Sequence, residues 1–173
     1  MPLTGKKMVI TGAAGGLGAG VARVAKRHGA EVVLLDVIED FQSDLGQTFS
    51  VDLTDSDNVE ACFEAIGPFD IVANIAGGFD MGPEVHQTDD ALWDALFDIN
   101  VTTLRRVLSA ATPRLLANGG GRIINVGAVG ALKGGPNMGA YLASKSVVMR
   151  LTESLSEEVK GQGINVNAVL PSV

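Results

Sequence analysis

Short apolar runs alternate with helix-length amphipathic stretches along this chain. The apolar runs lie at residues 7–10, 31–35, 48–51, 71–74, 122–126 and 164–169, and the helical stretches at 16–28, 55–65, 89–118 and 141–160. Buried parallel strands are short and apolar, and helices connect them, so this alternation predicts an α/β fold. We expect a doubly wound parallel sheet in three layers, with helices on both faces.

Local signals refine the predicted elements. Thr54 is the candidate cap of the helix at 55–65, and Pro113 is expected to interrupt or kink the long helix at 89–118. The connection at 37–47 is too short for a full crossover helix. Because no linker, repeat or low-complexity segment divides the chain, residues 1–173 are expected to form a single domain.

Composition narrows the classes of function. The net charge of −7 argues against nucleic acid and anionic membrane surfaces as partners, since both bind basic patches. No apolar run approaches the roughly 18 residues that span a bilayer, and the N-terminus soon enters a strand, so the cytoplasm is the expected compartment. With Cys62 as the single cysteine, and with His28 and His86 far apart, neither a disulfide nor a metal site is expected.

A glycine-rich turn, TGAAGGLG at 11–18, separates the first apolar run from the first helix. Backbone N–H groups and the helix dipole converge there, which predicts a pyrophosphate site in a dinucleotide-binding unit. Asp36 ends the second apolar run, where a carboxylate accepts hydrogen bonds from the adenosine ribose and repels a 2′-phosphate. We therefore predict NAD(H) in preference to NADP(H). Arg23, Lys26 and Arg27, on the intervening helix, are the residues able to weaken this preference.

Tyr141 and Lys145 stand four residues apart at the start of the last predicted helix, where they share one face. An ammonium beside a phenol favours the phenolate, so the tyrosine can exchange a proton near neutral pH. Lowering a tyrosine pKa from about 10 to neutrality requires about 4 kcal/mol of differential stabilisation. The spacing alone is weak evidence, but the glycine-rich turn lies upstream where a dinucleotide-binding unit has it.

With these motifs the chain resembles the short-chain dehydrogenase/reductase family from Lys6 onward. Its T-G-x-x-x-G-x-G matches 11–18, its adenine-side aspartate matches Asp52, and its N-N-A-G appears as NIAG at 74–77, with a departure at Ile75. The family's helix asparagine matches Asn100, and its Y-x-x-x-K matches 141–145. The resemblance implies a Rossmann-type fold and an NAD(H)-dependent oxidoreductase acting on a small molecule. It also implies a homodimer or homotetramer formed through the helices at 89–118 and 141–160.

The resemblance also implies residue roles. Tyr141 would act as the acid/base, Lys145 would lower the tyrosine pKa and bind the nicotinamide ribose, and Asn100 would hold a water that links Lys145 to solvent. Phe79 is a candidate substrate platform. The residues implied to contact the cofactor are Gly12, Ala14, Gly16, Leu17, Gly18, Asp36, Asp52, Leu53, Asn74, Ala76, Gly77, Tyr141, Lys145, Pro171 and Val173.

Two departures from the family pattern affect the predicted function. The serine expected about thirteen residues before Tyr141 is Ala128, which cannot donate a hydrogen bond to the substrate oxygen. Losing such a donor typically lowers the rate by about 10² to 10³; Asn137 and Lys133 are the candidate replacements. The chain also ends two residues after Pro171, where the family continues, so the last C-terminal elements are expected to be lacking and the final strand to remain a sheet edge.

The missing serine leaves three interpretations open. One is a carbonyl or alcohol oxidoreductase with Ala128 at the serine position. Another is a pteridine- or quinone-type reductase, because the stretches at 76–79 and 127–141 resemble the dihydropteridine reductase branch, with Phe79 in place of a tryptophan. A flat electrophilic ring accepts hydride at nitrogen without a polarised carbonyl. The third is a non-catalytic dinucleotide-binding protein.

Overall fold

A computed structural model describes residues 2–172 and contains one sheet of six parallel strands. The sheet order is β3-β2-β1-β4-β5-β6. The strands are β1 (Lys7–Thr11), β2 (Glu31–Asp36), β3 (Gln47–Ser50), β4 (Ile71–Asn74), β5 (Gly121–Val126) and β6 (Ile164–Val169). The helices are α1 (Gly16–Arg27), α2 (Ser56–Ile66), α3 (Asp90–Phe97), α4 (Thr103–Ala117) and α5 (Gly139–Glu158).

The strand residues divide between two hydrophobic cores, one on each face of the sheet. In β1, Val9 packs in the core that α2, α4 and α5 cover, whereas Met8 and Ile10 pack in the core that α1 covers. Successive side chains of a strand point to opposite faces, so this division follows from the period of two. The predicted doubly wound parallel sheet in three layers is confirmed. None of the described helices is long and apolar enough to cross a membrane.

The cap of α2 differs from the prediction. Asp55 caps the helix, with its carboxylate accepting hydrogen bonds from the backbone N–H groups of Asp57 and Asn58. The hydroxyl of Thr54 instead donates to the carboxylate of Asp52 at 2.7 Å. Two good capping residues stand side by side here, and the acidic one takes the cap, where the helix dipole favours a negative charge.

The long helix predicted at 89–118 is interrupted, but not at Pro113. A π-helical turn, Asp98–Thr102, separates α3 from α4, and Pro113 lies inside the continuous helix α4. The interruption carries the buried Asn100, whose side chain bonds to a loop outside the helix. Single π turns inside α-helices are frequent at functional sites, and this one carries an asparagine that bonds to the Gly78 backbone.

Candidate functional site

The site lies where the order of the strands reverses, between β1 and β4. From β1 the chain builds the sheet outward through β2 and β3, and from β4 it builds in the opposite direction. In open α/β sheets ligands bind outside the carboxyl ends of the strands at such a switch point. A cleft of about 740 Å³ opens there. Its lining includes Gly12, Ala14, Gly16, Leu17, Gly18, Asp36, Asp52, Leu53, Ala76 and Gly77, all predicted as cofactor contacts.

The glycine-rich turn approaches the neighbouring backbone too closely for side chains. Gly12 has φ +62°, and a Cβ on it would lie 2.8 Å from the backbone N of Ala76. A Cβ on Gly18 would collide with the carbonyl oxygen of Gly12. The first turn of α1 carries no acidic residue that would compete for its N–H groups. The turn therefore offers free donors and the positive end of a helix dipole to an anion in the cleft.

Thr11 joins the two strands that flank the switch point. Its buried hydroxyl accepts hydrogen bonds from the backbone N–H groups of Ile75 and Ala76, both at 3.0 Å. The segment after β4 is thereby held against the glycine-rich turn. Motif matching identified Thr11 only as the first letter of the turn, so this role was missed. The signal in the sequence was a threonine at the carboxyl end of an apolar strand.

Three carboxylates line the cleft, those of Asp36, Asp52 and Asp98, and no lysine or arginine does so within residues 2–172. The carboxylate of Asp36 accepts a hydrogen bond from the N–H of Ala14 at 2.9 Å, which fixes it beside the glycine-rich turn. The basic residues of α1 lie outside the lining; among them, the ammonium of Lys26 donates to the carbonyl of Asp44.

Sequence reasoning missed part of the cleft wall. The exposed side chains of Val37 and Ile38 follow Asp36 and line the cleft, as do Ile75 and Ile99. The signal for the first two was an apolar pair directly after the strand-ending aspartate. Apolar side chains at this end of the cleft suit the flat face of a heterocyclic ring.

Lys145 and Asn100 meet beside the end of the cleft. A Cβ on Gly77 would lie 3.1 Å from the Lys145 Nζ and 2.7 Å from the Asn100 Oδ1, so both polar groups lie against this glycine. Lys145 is only 6% exposed, and its ammonium donates to the carbonyl of Val126 at 3.1 Å. Asn100 bonds to both backbone groups of Gly78, at 3.0 Å each. Its carboxamide is thus occupied by protein groups.

The ionisation of Tyr141 differs from the expectation. Burial raises the pKa of the Tyr141 phenol, and burial also lowers the pKa of Lys145. The predicted lowering of the tyrosine pKa by its lysine neighbour is therefore not seen in the protein alone. Desolvation raises the pKa of the phenol, and the Lys145 ammonium is itself buried and bonded to the Val126 carbonyl.

Of the two predicted substrate residues, Phe79 contacts Tyr141. The ring of Phe79 stands edge-on to that of Tyr141, with centroids 4.9 Å apart and planes at 89°. Ala128 is buried at the end of β5 and precedes a 3₁₀ turn, Val129–Leu132. The N–H of Val129 donates to the carbonyl of Pro171, so the C-terminal segment approaches Ala128.

Four predicted cofactor contacts within the described residues lie outside the lining of the cleft: Asn74, Tyr141, Lys145 and Pro171. Pro171 lies beside Ala128 and Val129, and Val173 lies outside the described residues. Asn74 is buried and donates to the side chain of Asn125 at 2.8 Å, so it links β4 to β5. Asn125 in turn donates to Thr152 on α5, a partnership that spans 27 residues and that no local pattern indicates.

The sequence model of the short chain dehydrogenase family matches residues 6–173. The chain belongs to this family. Sorbitol dehydrogenase of Cereibacter sphaeroides is 34% identical over 185 aligned residues, which cover 100% of this chain and 72% of that one. Oxidoreductase UcpA of Salmonella typhimurium is 36% identical, over 98% of this chain and 69% of its own.

Solved structures of two dehydrogenases superpose closely on this chain. An NAD⁺-bound xylitol dehydrogenase gives a TM-score of 0.94 at 26% identity, covering 99% of this chain and 71% of its own. A carveol dehydrogenase from Mycobacterium avium in complex with NAD gives 0.89 at 31% identity, over 97% of this chain and 70% of its own. The family membership and Rossmann-type fold predicted from the motifs are confirmed, and the chain is an oxidoreductase of the short-chain type.

Two glycines of α1 provide a matched test of the turn. Gly18→Ala is expected to lower the free energy of unfolding by about 1–3 kcal/mol, because its Cβ would overlap backbone atoms that cannot move aside. Gly20→Ala meets nothing within 4 Å and is expected to stabilise α1 by up to about 1 kcal/mol. Urea unfolding of both variants measures the difference. Equal effects would contradict the described packing of the turn.

Proposed function

We propose that this protein is an NAD(H)-dependent oxidoreductase that transfers hydride between nicotinamide and a small carbonyl or alcohol substrate. One observation carries the proposal. The Tyr141–Lys145 pair stands at the carboxyl end of the sheet, with the ammonium against Gly77, a residue of the cleft wall. A dinucleotide cleft and an acid/base pair therefore meet at one point. The NAD-bound dehydrogenases that superpose on the chain support the same interpretation.

The residues of the cleft fit NAD(H) along its length. Asp36 would accept hydrogen bonds from the adenosine ribose, between the apolar pair Val37 and Ile38 and the segment Asp52–Leu53. The glycine-rich turn would hold the pyrophosphate, since Gly12 and Gly18 permit the close backbone packing that brings the N–H groups of the turn to the cleft. Lys145 would bind the nicotinamide ribose. When bound, the nicotinamide supplies or accepts the hydride, and the protein moves the proton.

Tyr141 would handle that proton at its phenol oxygen. During reduction the phenol donates a proton to the substrate oxygen, and during oxidation the phenolate accepts one from the alcohol. Burial raises the pKa of Tyr141, so the phenol is protonated at neutral pH and ready for reduction. In the oxidative direction the positive charges of Lys145 and of the oxidised nicotinamide would offset this effect. The Asn100 side chain, to which the family pattern assigns a relay water, is already bonded to Gly78 and Ser144.

The protein would assemble as a homodimer or homotetramer through α4 and α5. A groove on the outer surface of these helices is lined by apolar side chains that include Leu108, Leu151 and Leu155. Apolar helix faces of this kind suit burial against a second copy. The acidic composition and the cleft chemistry favour a small-molecule substrate over nucleic acid.

A pteridine- or quinone-type reductase is the second candidate. Two observations favour it. Ala128 offers no donor for a substrate oxygen, and Phe79, which is 60% exposed, presents an aromatic surface beside Tyr141. A flat electrophilic ring can pack against Phe79 and needs no polarised carbonyl. A pteridine- or quinone-type reductase would use the same cofactor cleft and the same Tyr141 as the carbonyl or alcohol oxidoreductase.

Tyr141→Phe tests the assigned chemistry. Removal of the phenol oxygen is expected to lower kcat for carbonyl reduction by roughly 10² to 10⁴, the usual contribution of a general acid. The dissociation constant for NADH is expected to stay unchanged, because the ring and Lys145 remain. Steady-state turnover and titration of NADH fluorescence measure the two quantities. Full turnover in the variant would show that Tyr141 is not the general acid. Absence of any turnover in the parent protein would instead favour a non-catalytic dinucleotide-binding protein.

Asp36→Asn tests the preference for NADH. Loss of the carboxylate weakens the bond to the ribose and removes the repulsion of a 2′-phosphate, so the ratio of NADH to NADPH affinity is expected to fall by about tenfold or more. Glu39→Gln is the matched control, since it removes the same charge from an exposed residue of the same loop that does not line the cleft. Equal ratios of NADH to NADPH affinity in the two variants would refute the assignment of Asp36 to the adenosine ribose.

Ala128→Ser separates the two candidate reactions. If the substrate is a ketone, the new hydroxyl is expected to raise kcat/KM by roughly tenfold or more, the inverse of losing one such donor. If the substrate is a quinonoid pterin, hydride is accepted at a ring nitrogen and polarising an oxygen is not required, so the hydroxyl is expected to leave kcat/KM unchanged or lower it. Rates with an aliphatic ketone, an aromatic ketone and a quinonoid pterin distinguish the outcomes.

A further inference from the structure

Asn100 and Ser144 form a buried hydrogen-bonded bracket between the segment after β4 and the start of α5. The Asn100 Nδ2 donates to the carbonyl of Gly78 at 3.0 Å and to the Ser144 Oγ at 3.1 Å, and the Asn100 Oδ1 accepts from the N–H of Gly78. The Ser144 hydroxyl donates in turn to the carbonyl of Tyr141 at 2.8 Å. A continuous chain of hydrogen bonds therefore joins the backbone of Gly78 to the backbone of Tyr141.

The two ends of this bracket carry the aromatic rings that meet at the site. Phe79 directly follows Gly78, and its ring stands edge-on to the ring of Tyr141. Because Phe79 is mostly exposed, core packing does not fix its ring. Its position depends on its backbone, and Asn100 holds the preceding residue at both its N–H and its carbonyl group.

We infer that Ser144 is a positioning residue for Tyr141. Through Asn100, Ser144 holds the ring of Phe79 against the phenol of Tyr141. Ser144 is fully buried and does not line the cofactor cleft, so it acts on the site only through these partners. Its effect on the rate rests on the proposed role of Tyr141 as acid/base. The contact between the rings does not depend on that role.

The composition of the chain allows the ionisation of Tyr141 to be measured directly. Tyr141 is the only tyrosine among the 173 residues, so the ultraviolet absorbance change on phenol ionisation reports this one group. Burial raises the pKa of Tyr141, and the ring of Phe79 contributes to that burial. Water reaching the phenol would return the pKa toward its ordinary value. If the Ser144 hydrogen bond had a purely structural role, removing it would change the stability of the fold but leave the pKa of Tyr141 unchanged.

Spectrophotometric titration of three variants tests the inference. Ser144→Ala is expected to lower the pKa of Tyr141 toward its ordinary value, and Phe79→Ala to lower it in the same direction. The double variant is expected to show no shift in the Tyr141 pKa beyond that of Phe79→Ala, because both changes remove the same contact between the rings of Phe79 and Tyr141. The kcat for reduction in Ser144→Ala is expected to fall roughly fivefold, the size of one hydrogen bond, with NADH affinity unchanged.

Ser146→Ala is the matched control. Ser146 lies on the same helix, and its hydroxyl donates to the carbonyls of Ala131 and Leu142 without touching Asn100, so its variant is expected to titrate like the parent protein. A normal titration of Ser144→Ala, or shifts that add in the double variant, would overturn the inference. Phe79→Ala changes an exposed side chain, and a parental titration of this variant would overturn it even if Ser144→Ala failed to fold. Since the titration requires no turnover, failure of the proposed reaction is distinguishable from failure of the bracket.

Discussion

The close approach of the glycine-rich turn to the segment after β4 is the constraint on which the rest of the site depends. Gly12 lies so near Ala76 that no side chain fits between them, and the Thr11 hydroxyl bonds to two N–H groups of the same segment. This contact fixes both walls of the cleft at the point where the sheet order reverses. Gly77 and Gly78 follow at once, so the positions of Asn100 and Lys145 are set relative to the same backbone. A change in the turn therefore reaches the catalytic end of the cleft through covalent neighbours.

The electrostatics of the cleft arise from two opposing sources. Three carboxylates line it, yet a dinucleotide carries a negative pyrophosphate. The anion is expected at the glycine-rich turn, where free N–H groups and the dipole of α1 act at short range. Asp36 is bonded to the N–H of Ala14 and lies at the ribose end, where a second phosphate would meet a carboxylate with no compensating cation in the described lining. The proposed preference for NAD(H) therefore rests on where the charges lie rather than on their sum.

Local and long-range features differ in how far the sequence predicted them. The strands, the glycine-rich turn and Asp36 were predicted because each depends on residues adjacent in sequence, and periodicity carries that information. The position of the helix break was wrong, since Pro113 was the visible signal while Asn100 has its partners 22 and 44 residues away. The raised pKa of Tyr141 in the protein alone was not predicted, because burial is a tertiary property and the spacing of residues 141 and 145 reports only the nearby ammonium. The same limit hid the link between Asn125 and Thr152.

The raised pKa of Tyr141 and the alanine at position 128 bear on the same step. A protonated phenol is a ready donor but a poor base, so the raised pKa would favour the reductive direction of the proposed reaction. Without a hydroxyl at 128, a ketone oxygen would receive hydrogen bonds from fewer groups, and Tyr141 would carry more of the stabilisation of its developing charge. A quinonoid ring relaxes that requirement, because its hydride acceptor is already electrophilic. If such a ring is the substrate, its own electronics, together with the aromatic contact of Phe79 and Tyr141, would replace part of what a polarising hydroxyl supplies.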